Sequence, residues 1–317
     1  MKVGIIVGRE QSFPPALIDE INGRESGVTA EYVTLSGIRI DQPLEYAVII
    51  DRISHEIPFY RAYLKQAALQ GTRVINNPFW WSADDKFFNY SLATKIDVAV
   101  PKTILLPQKS YKDGVVSESL RNLEYPLNWQ GIVDYIGMPA IMKPFDGGGW
   151  RDVYRVDNLE DLISKFDETG QLCMTLQEFI NFDRYVRCYC IGRKNVWIMP
   201  YDPRLPYGQN YVQMSVIDYL GAELKERIER DCITLCEALG YDMNTVEFAI
   251  RDGIPYAIDY MNPAPDAELR SVKEENFRWM VNAVADLAIE YAKAGPAKVE
   301  YSWSRFLNPR SARAPRA

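Results

Sequence analysis

The sequence predicts an α/β protein that opens with a small doubly wound sheet and continues into mixed strand and helix structure. Three observations carry this expectation. Residues 1–81 alternate apolar strand-like runs with amphipathic stretches, the pattern of a parallel sheet with helices packed on it. Thr245–Asp266, TVEFAIRDGIPYAIDYMNPAPD, reads as two strands joined at Asp252-Gly253, a strong hairpin signal. Between them, Met138–Val156 holds a strand that runs into Asp146-Gly147-Gly148-Gly149 and out into a second strand.

The totals bound the function. At 317 residues the chain has room for about two or three domains and a substantial core. Lys+Arg number 36 and Asp+Glu 43, a formal charge of −7, which argues against duplex nucleic acid but not against nucleotides. The N-terminal run MKVGIIVGRE is too short for a signal peptide and reads as a first strand. No stretch approaches the ~18 apolar residues of a membrane span, so a cytoplasmic protein without a membrane partner is expected. The five cysteines, at 173, 188, 190, 232 and 236, then read as reduced core thiols. Cys232 and Cys236 lie one helical turn apart and could approach a soft metal, although a single histidine, His55, disfavours a zinc site.

In chain order, KVGIIVG is a buried parallel strand and FPPALIDEIN a helix with Pro at its start. VTAEYVTL and YAVIID are strands, IPFYRAYLKQAALQG is a helix stopped by Gly, and TRVINN is a fourth short strand. The Gly8-Arg9-Glu10 loop lies beyond a strand's carboxyl end, where such sheets bind ligands; a turn with two solvated charges fits it equally well. SADDKFFNYSLATK is expected as a helix capped by Ser82 with Asp85 completing a capping box. Lys86 falls in its first turn, where a cation needs a carboxylate such as Asp84 or Asp85, or an anionic ligand. VAVPKTILLP is extended, and a helix is expected within Gln108–Gln130.

PAIMKP then leads to the three glycines, whose backbone amides can approach phosphate oxygens without Cβ interference, and Lys143 supplies a point charge beside them; a flexible hairpin is the plainer alternative. NLEDLISKF is a helix capped by Asn158, CMTLQEFI a strand, and DRYVRCYCIG an alternating strand. Tyr185, Arg187 and Tyr189 share one face of that strand and Val186, Cys188 and Cys190 the other. The cysteine face is expected in the core and the Arg187 face in water, where Arg187 could reach an anion. Residues 200–213 form a Pro/Tyr-rich loop in which Asp202, Arg204 and Tyr207 are candidate substrate contacts, as is Arg9. GAELKERIERDCITLCEALG and NFRWMVNAVADLAIEYAKAG are amphipathic helices.

In the hairpin, Glu247 and Asp259 are separated by an even offset. A two-residue turn plus a bulge would set them opposite each other on one face. Like charges that close repel, and a hard divalent cation is the simplest reason to keep them. A bent hairpin with one carboxylate in solvent is the alternative.

Taken in order, Asp-Lys on a helix, V-P-K-T, P-x-I-x-K-P with a glycine loop, Q-E-F-I, and E-F-A-I-R-D-G-x-P-Y-x-I-D-x-M-N-P, the chain resembles the ATP-grasp superfamily over roughly residues 1–290. The resemblance implies an N-terminal α/β domain (1–96), a small lid lobe (97–176) and a C-terminal lobe with the metal site (177–306); the basic, Pro/Ala-rich run 307–317 is expected from its composition to be a disordered tail. It implies that Lys86 and Lys143 contact ATP phosphates, that Gly147, Gly148 and Gly149 close over them, that Gln177, Glu178, Phe179 and Ile180 read the adenine edge, and that Asp183 holds the ribose. It further implies that Glu247 and Asp259 hold Mg²⁺ or Mn²⁺. The family places Asn two residues after the second acid; here Met261 stands there and Asn262 follows it, with Asp266 a spare carboxylate nearby. The implied chemistry is ATP-dependent carboxylate–amine ligation through an acylphosphate, with Arg187 and Arg151 as the cationic catalytic groups and small-molecule or peptide ends as substrates. A kinase of the same fold and a non-catalytic nucleotide-binding module are the alternatives. A homodimer is compatible with the sequence.

Overall fold

Lys2–Ile6 (β1) and Tyr46–Asp51 (β3) are short, almost wholly apolar runs and occupy the middle of a four-stranded parallel sheet. In the computed structural model, which describes residues 1–79, 85–147, 151–206 and 208–296, this sheet has the order β2-β1-β3-β4, with Thr29–Tyr32 as β2 and Arg73–Ile75 as β4. Both faces are covered. Phe13–Gly23 (α1), with prolines in its first turn, turns Phe13, Leu17 and Ile21 onto Val3, Ile5, Val48 and Ile50. Pro58–Leu69 (α2) covers the opposite face, with Tyr63, Leu64 and Ala67 on Ile6, Ile49 and Val74. The alternation Val48, Ile49, Ile50 between the two clusters is the period-two signature of a strand buried on both sides.

A second, antiparallel sheet has the order β10-β9-β11-β12. Its strands are Arg184–Ile191 (β9), Asn195–Pro200 (β10), Met243–Arg251 (β11) and Ile254–Asp259 (β12). The β11–β12 turn is the expected one: Asp252 and Gly253 both have positive φ, 54° and 72°, as a two-residue turn that matches strand twist requires. Ala222–Leu239 (α7) ends at Gly240, whose left-handed φ of 77° stops the helix. Glu274–Ala294 (α9) packs Met280, Val284, Leu287 and Ala288 into one cluster with Tyr189, Ile191, Met199 and Met243 of this sheet and with β1, β3 and α1. β10 and two short helices, Val216–Leu220 (α6) and Leu269–Val272 (α8), were not anticipated.

The third sheet, order β5-β8-β6-β7, is antiparallel and built from Thr103–Leu106 (β5), Ala140–Pro144 (β6), Tyr154–Val156 (β7) and Met174–Glu178 (β8). Lys86–Lys95 (α3), Trp129–Ile136 (α4) and Leu159–Glu168 (α5) accompany it. Two expectations need correction. The helix expected from Ser82 starts at Lys86: the Asp85 carboxylate accepts from Phe88 N and is itself the cap, a role short acidic side chains fill well, and Ser82 lies outside the described residues. The helix expected within 108–130 reduces to one 3₁₀ turn, Ser117–Leu120, and α4 begins only where Asn128 accepts from Gly131 N.

The described residues divide into two compact units, one within 1–81 and 182–317 and one within 82–181. Among the described residues, no helix is long and apolar enough to cross a membrane.

Candidate active site

The pairing of β11 with β12 is regular from Arg251↔Ile254 through Phe248↔Ala257, then shifts by one so that Glu247 pairs with Asp259. The extra residue in β12 is Ile258. A regular ladder would set Ile258 against Glu247 and turn Asp259 to the other face; the bulge brings the two acids together.

Glu247 is also held from its other side by β9. Arg187 is its register partner there, and Arg187 Nε stands 3.0 Å from Glu247 Oε1, with the two side chains 15% and 20% exposed. Tyr185 Oη donates to Glu247 Oε2. Arg187 Nη1 donates to Tyr211 Oη at 3.0 Å, and the guanidinium lies 5.3 Å from the Tyr201 ring centre. Burial raises the Tyr185 phenol well above its ordinary range, and the neighbouring Glu247 charge adds to this. For Arg187, burial works to lower the pKa, and the Glu247 carboxylate reverses that, leaving it above the ordinary value.

This face of β9 is not the wet surface that its alternation suggests. Tyr185 and Tyr189 are 6% and 1% exposed. Tyr189 stacks parallel to Trp279 of α9 at 6.2 Å and donates to Asp266 O, while Tyr201 and Tyr211 cover the Arg187 end. Strand periodicity registers the two faces but not a helix some ninety residues later that covers one of them. The cysteine face is in the core, as its composition implies.

The acid pair suits a hard cation. Opposed side chains in a ladder have Cβ atoms ~5 Å apart, and an ionised carboxylate has about four lone-pair sites, enough for several partners at once. The segment after Asp259 is fixed by a residue that sequence patterning does not reveal. Asn244, fully buried in β11, donates from Nδ2 to Tyr260 O at 2.8 Å and accepts Asn262 N at Oδ1 at 3.0 Å. Asn76 Nδ2 donates to Pro263 O at 3.0 Å. The spare carboxylate, Asp266, accepts from Glu268 N at 3.1 Å and from Ser271 Oγ.

Within the other unit, Lys143 and Gln177 meet. Lys143 Nζ donates to Tyr90 Oη at 2.8 Å and to Gln177 Oε1 at 3.1 Å, and Gln177 Nε2 donates to Thr103 Oγ1 at 3.0 Å. Lys86, buried in the first turn of α3, donates to Gly147 O; a backbone carbonyl thus accompanies the cation at this helix start. Gln177 and Glu178 lie in β8, and Phe179 and Ile180 follow it. The strand's backbone is used in pairing at Gln177, so the side chain is the part of this residue that faces Lys143.

The other described candidates make local contacts or face solvent. Asp183 faces Arg184 at 3.3 Å. Asp202 and Arg204 pair at 2.8 Å, a contact that lowers the Asp202 pKa. Arg9 is 93% exposed and 3.8 Å from Glu56, and Arg151 is exposed. Gly148, Gly149 and Tyr207 lie outside the described residues.

Sequence reading also missed Arg52, whose side chain is 1% exposed. Its Nε donates to Glu10 Oε2 at 2.9 Å and its Nη2 to Pro265 O, joining the carboxyl ends of β1 and β3 to the segment after β12. An arginine directly after one buried strand, with an acid four residues after its neighbour strand, was the available signal.

No protein-family model matches the chain. A D-alanine–D-alanine ligase A from Bacillus cereus is 26% identical over 137 residues, which is 40% of this chain and 45% of that relative, so the match spans less than half of the relative's length. The crystal structure of a D-alanine–D-alanine ligase from Bacillus anthracis complexed with ATP is similar at a TM-score of 0.64 and 17% identity, covering 93% of this chain and 97% of that one. A RimK domain ATP-grasp protein from Sphaerobacter thermophilus is similar at 0.63 and 16% identity, covering 94% and 100%. Nearly whole-chain superposition at such low identity is a statement about architecture: the chain carries the ATP-grasp fold.

Proposed function

We propose that this chain is an ATP-dependent ligase that joins a carboxylate to an amine. The observation that carries this reading is the register partnership of Glu247 with Asp259, two acids of which the Arg187 guanidinium answers the first and a hard cation would answer both. In this reading Glu247 and Asp259, with Asn262, hold Mg²⁺ or Mn²⁺. The cation neutralises phosphate charge and orients the nucleotide when bound. Lys143 and Lys86 meet the phosphates, Gly147 to Gly149 cover them, and residues 177–180 with Asp183 hold adenosine.

The substrate carboxylate oxygen attacks the γ-phosphorus and ADP leaves, giving an acylphosphate. The amine nitrogen then bonds to the acyl carbon, the C–O bond to phosphate breaks, and the amine proton passes to solvent. Positioning and charge neutralisation do most of this work, so no imidazole is needed in a chain with one histidine. Arg187 has five N–H donors, of which those at Nε and Nη1 face Glu247 and Tyr211; we assign the rest to charge developing on the acylphosphate, with Arg151 as a second cation. Small molecules or peptide ends are the proposed substrates.

The test is ADP and phosphate release from the purified chain with Mg²⁺ and ATP, screened across amino acids and short peptides singly and in pairs. Release that requires both an acid and an amine, with a product heavier than either by their condensation, is expected. A stable phosphoester formed with one substrate would make the chain a kinase. ATP hydrolysis indifferent to every acid and amine would sink the ligase reading.

A further inference from the structure

On the face of the antiparallel sheet opposite Arg187, the structure gathers three thiols that the proposed ligase chemistry does not use. Cys190 of β9 and Cys232 and Cys236 of α7 place their sulfurs all within 4.8 Å of one another, and each residue is fully buried. From this geometry we infer that Cys190, Cys232 and Cys236 form a binding site for one soft d¹⁰ metal cation. The inference does not depend on the ligase reading.

The argument begins with spacing. Cys232 and Cys236 are four apart on α7 and so stand on one face, one turn from each other; Cys190 sits in a central strand, so its position is fixed by pairing on both sides. A trigonal set of sulfurs at a metal–sulfur distance of ~2.3 Å has its sulfurs ~4.0 Å apart. The observed grouping therefore needs only side-chain adjustments of less than an ångström to close on an ion.

Polar groups flank the cluster. Asn244 Nδ2 donates toward Cys236 Sγ at 3.5 Å. Arg193 is held nearby, with its Nη2 on Gly240 O at 3.1 Å and its Nε 3.0 Å from Asp242 Oδ1.

The donor set also selects the class of ion. Among the described residues the cluster contains sulfur alone, which suits soft cations and not Mg²⁺ or Ca²⁺. Three sulfurs favour Cu⁺ over Zn²⁺, which takes four ligands at nearly every structural site. An ion here would tie β9 to α7, and Asn244 would connect that tie to Tyr260 and Asn262.

The full chain, produced in cells supplied with copper or with zinc and purified under reducing, oxygen-free conditions, is weighed intact by native mass spectrometry. Separate samples of the same chain are titrated with Cu⁺ against a competing chelator and with Zn²⁺. One ion per chain is expected, with X-ray absorption showing a sulfur-only shell of three at ~2.3 Å. Retention in the copper arm or in the zinc arm tells which ion it is. Cys236→Ala and Cys190→Ala should lower retention at least tenfold, and Cys173→Ala, in the other unit, should leave it unchanged. No stoichiometric ion in either arm, nitrogen or oxygen in the shell, or undiminished retention in Cys236→Ala would each overturn the site. So would thiol counting that finds two of the three sulfurs already joined. If the alanine variants fail to fold, the absorption spectrum of the unsubstituted chain decides the matter alone.

Discussion

Glu247 and Asp259 stand opposite each other because β12 carries one more residue than β11 between the turn and the acids. Two carboxylates in that relation repel, and the Arg187 guanidinium beside Glu247 offsets part of that repulsion. Asp259→Asn removes the repulsion, so the metal-free chain should gain about 0.2–1 kcal/mol. That is a rise in Tm of about 0.3–1.5 °C for a chain of this size. The same variant should lose most of the extra stabilisation that Mg²⁺ with ATP gives the unsubstituted protein. Thermal unfolding with and without Mg–ATP measures both; a metal-free variant that melts lower would contradict the charge argument.

Arg187 answers Glu247 from the neighbouring strand, with both side chains mostly out of water. Arg187→Ala should cost about 2–4 kcal/mol, somewhat below a fully buried pair, because the mostly buried Glu247 carboxylate loses its guanidinium partner. Ligation turnover should fall by about a hundredfold or more, while nucleotide binding stays measurable by titration. Arg187→Lys keeps the charge but not the fork that reaches both Glu247 and Tyr211, and should recover stability more than turnover. Unchanged turnover in the alanine variant would remove Arg187 from the mechanism.

What was legible in the sequence was local. Asp252-Gly253 announces its own turn, and the even offset from Glu247 to Asp259 poses the bulge as a condition that the backbone then meets. The buried strands of the parallel sheet are visible as apolar runs for the same reason: their signal lies within five or six residues. What was missed is non-local. Asn244 is an unremarkable residue in a strand until Asn262 and Tyr260 come round to it. Arg52 meets Glu10 across 42 residues and Pro265 across 213. The dry face of β9 depends on Trp279, about ninety residues away in sequence. Helix starts such as Lys86 were misplaced because Ser82 and Asp85 are both competent caps and only the backbone path decides between them.

Helix α1 has no cap of its own, since the Ser12 side chain makes no capping bond. Glu268 supplies one from the far end of the chain, accepting from Gln11 N and Ser12 N at 3.0 Å each and from Phe13 N at 3.3 Å, while Ser12 Oγ accepts from Leu269 N at 2.9 Å. Burial alone would raise the Glu268 pKa; the backbone donors outweigh it and the net direction is down from 4.5. A depressed carboxylate stabilises the fold above its unfolded pKa, and that share is lost as pH falls through the folded value. Glu268→Gln should therefore cost about 1 kcal/mol at pH 7, with the difference from the unsubstituted chain narrowing below pH 4.5. Urea unfolding at pH 7 and in acid measures it. An equal cost at both would mean that shape, not charge, does the capping.

At the alkaline end the tyrosines set the limit. Burial, the largest cause in each case, lifts Tyr211 and Tyr46 from 10.0 to about 12, and Tyr185, Tyr189 and Tyr291 also move up. Below pH 10 these phenols are neutral in both states and the folded protein has their full contribution. As pH rises from 10 toward 12 the unfolded chain releases protons that the folded chain keeps, so the unfolded state gains and stability falls with pH. Tyr211→Phe removes one such group together with the acceptor for Arg187. It should lower stability at pH 8 and flatten the decline above pH 10 by about one proton's worth of slope. Unfolding free energy followed from pH 8 to 11.5 in both chains separates the two effects. Parallel curves would show that Tyr211 ionises as readily folded as unfolded, and that water reaches the Arg187 end of the sheet after all.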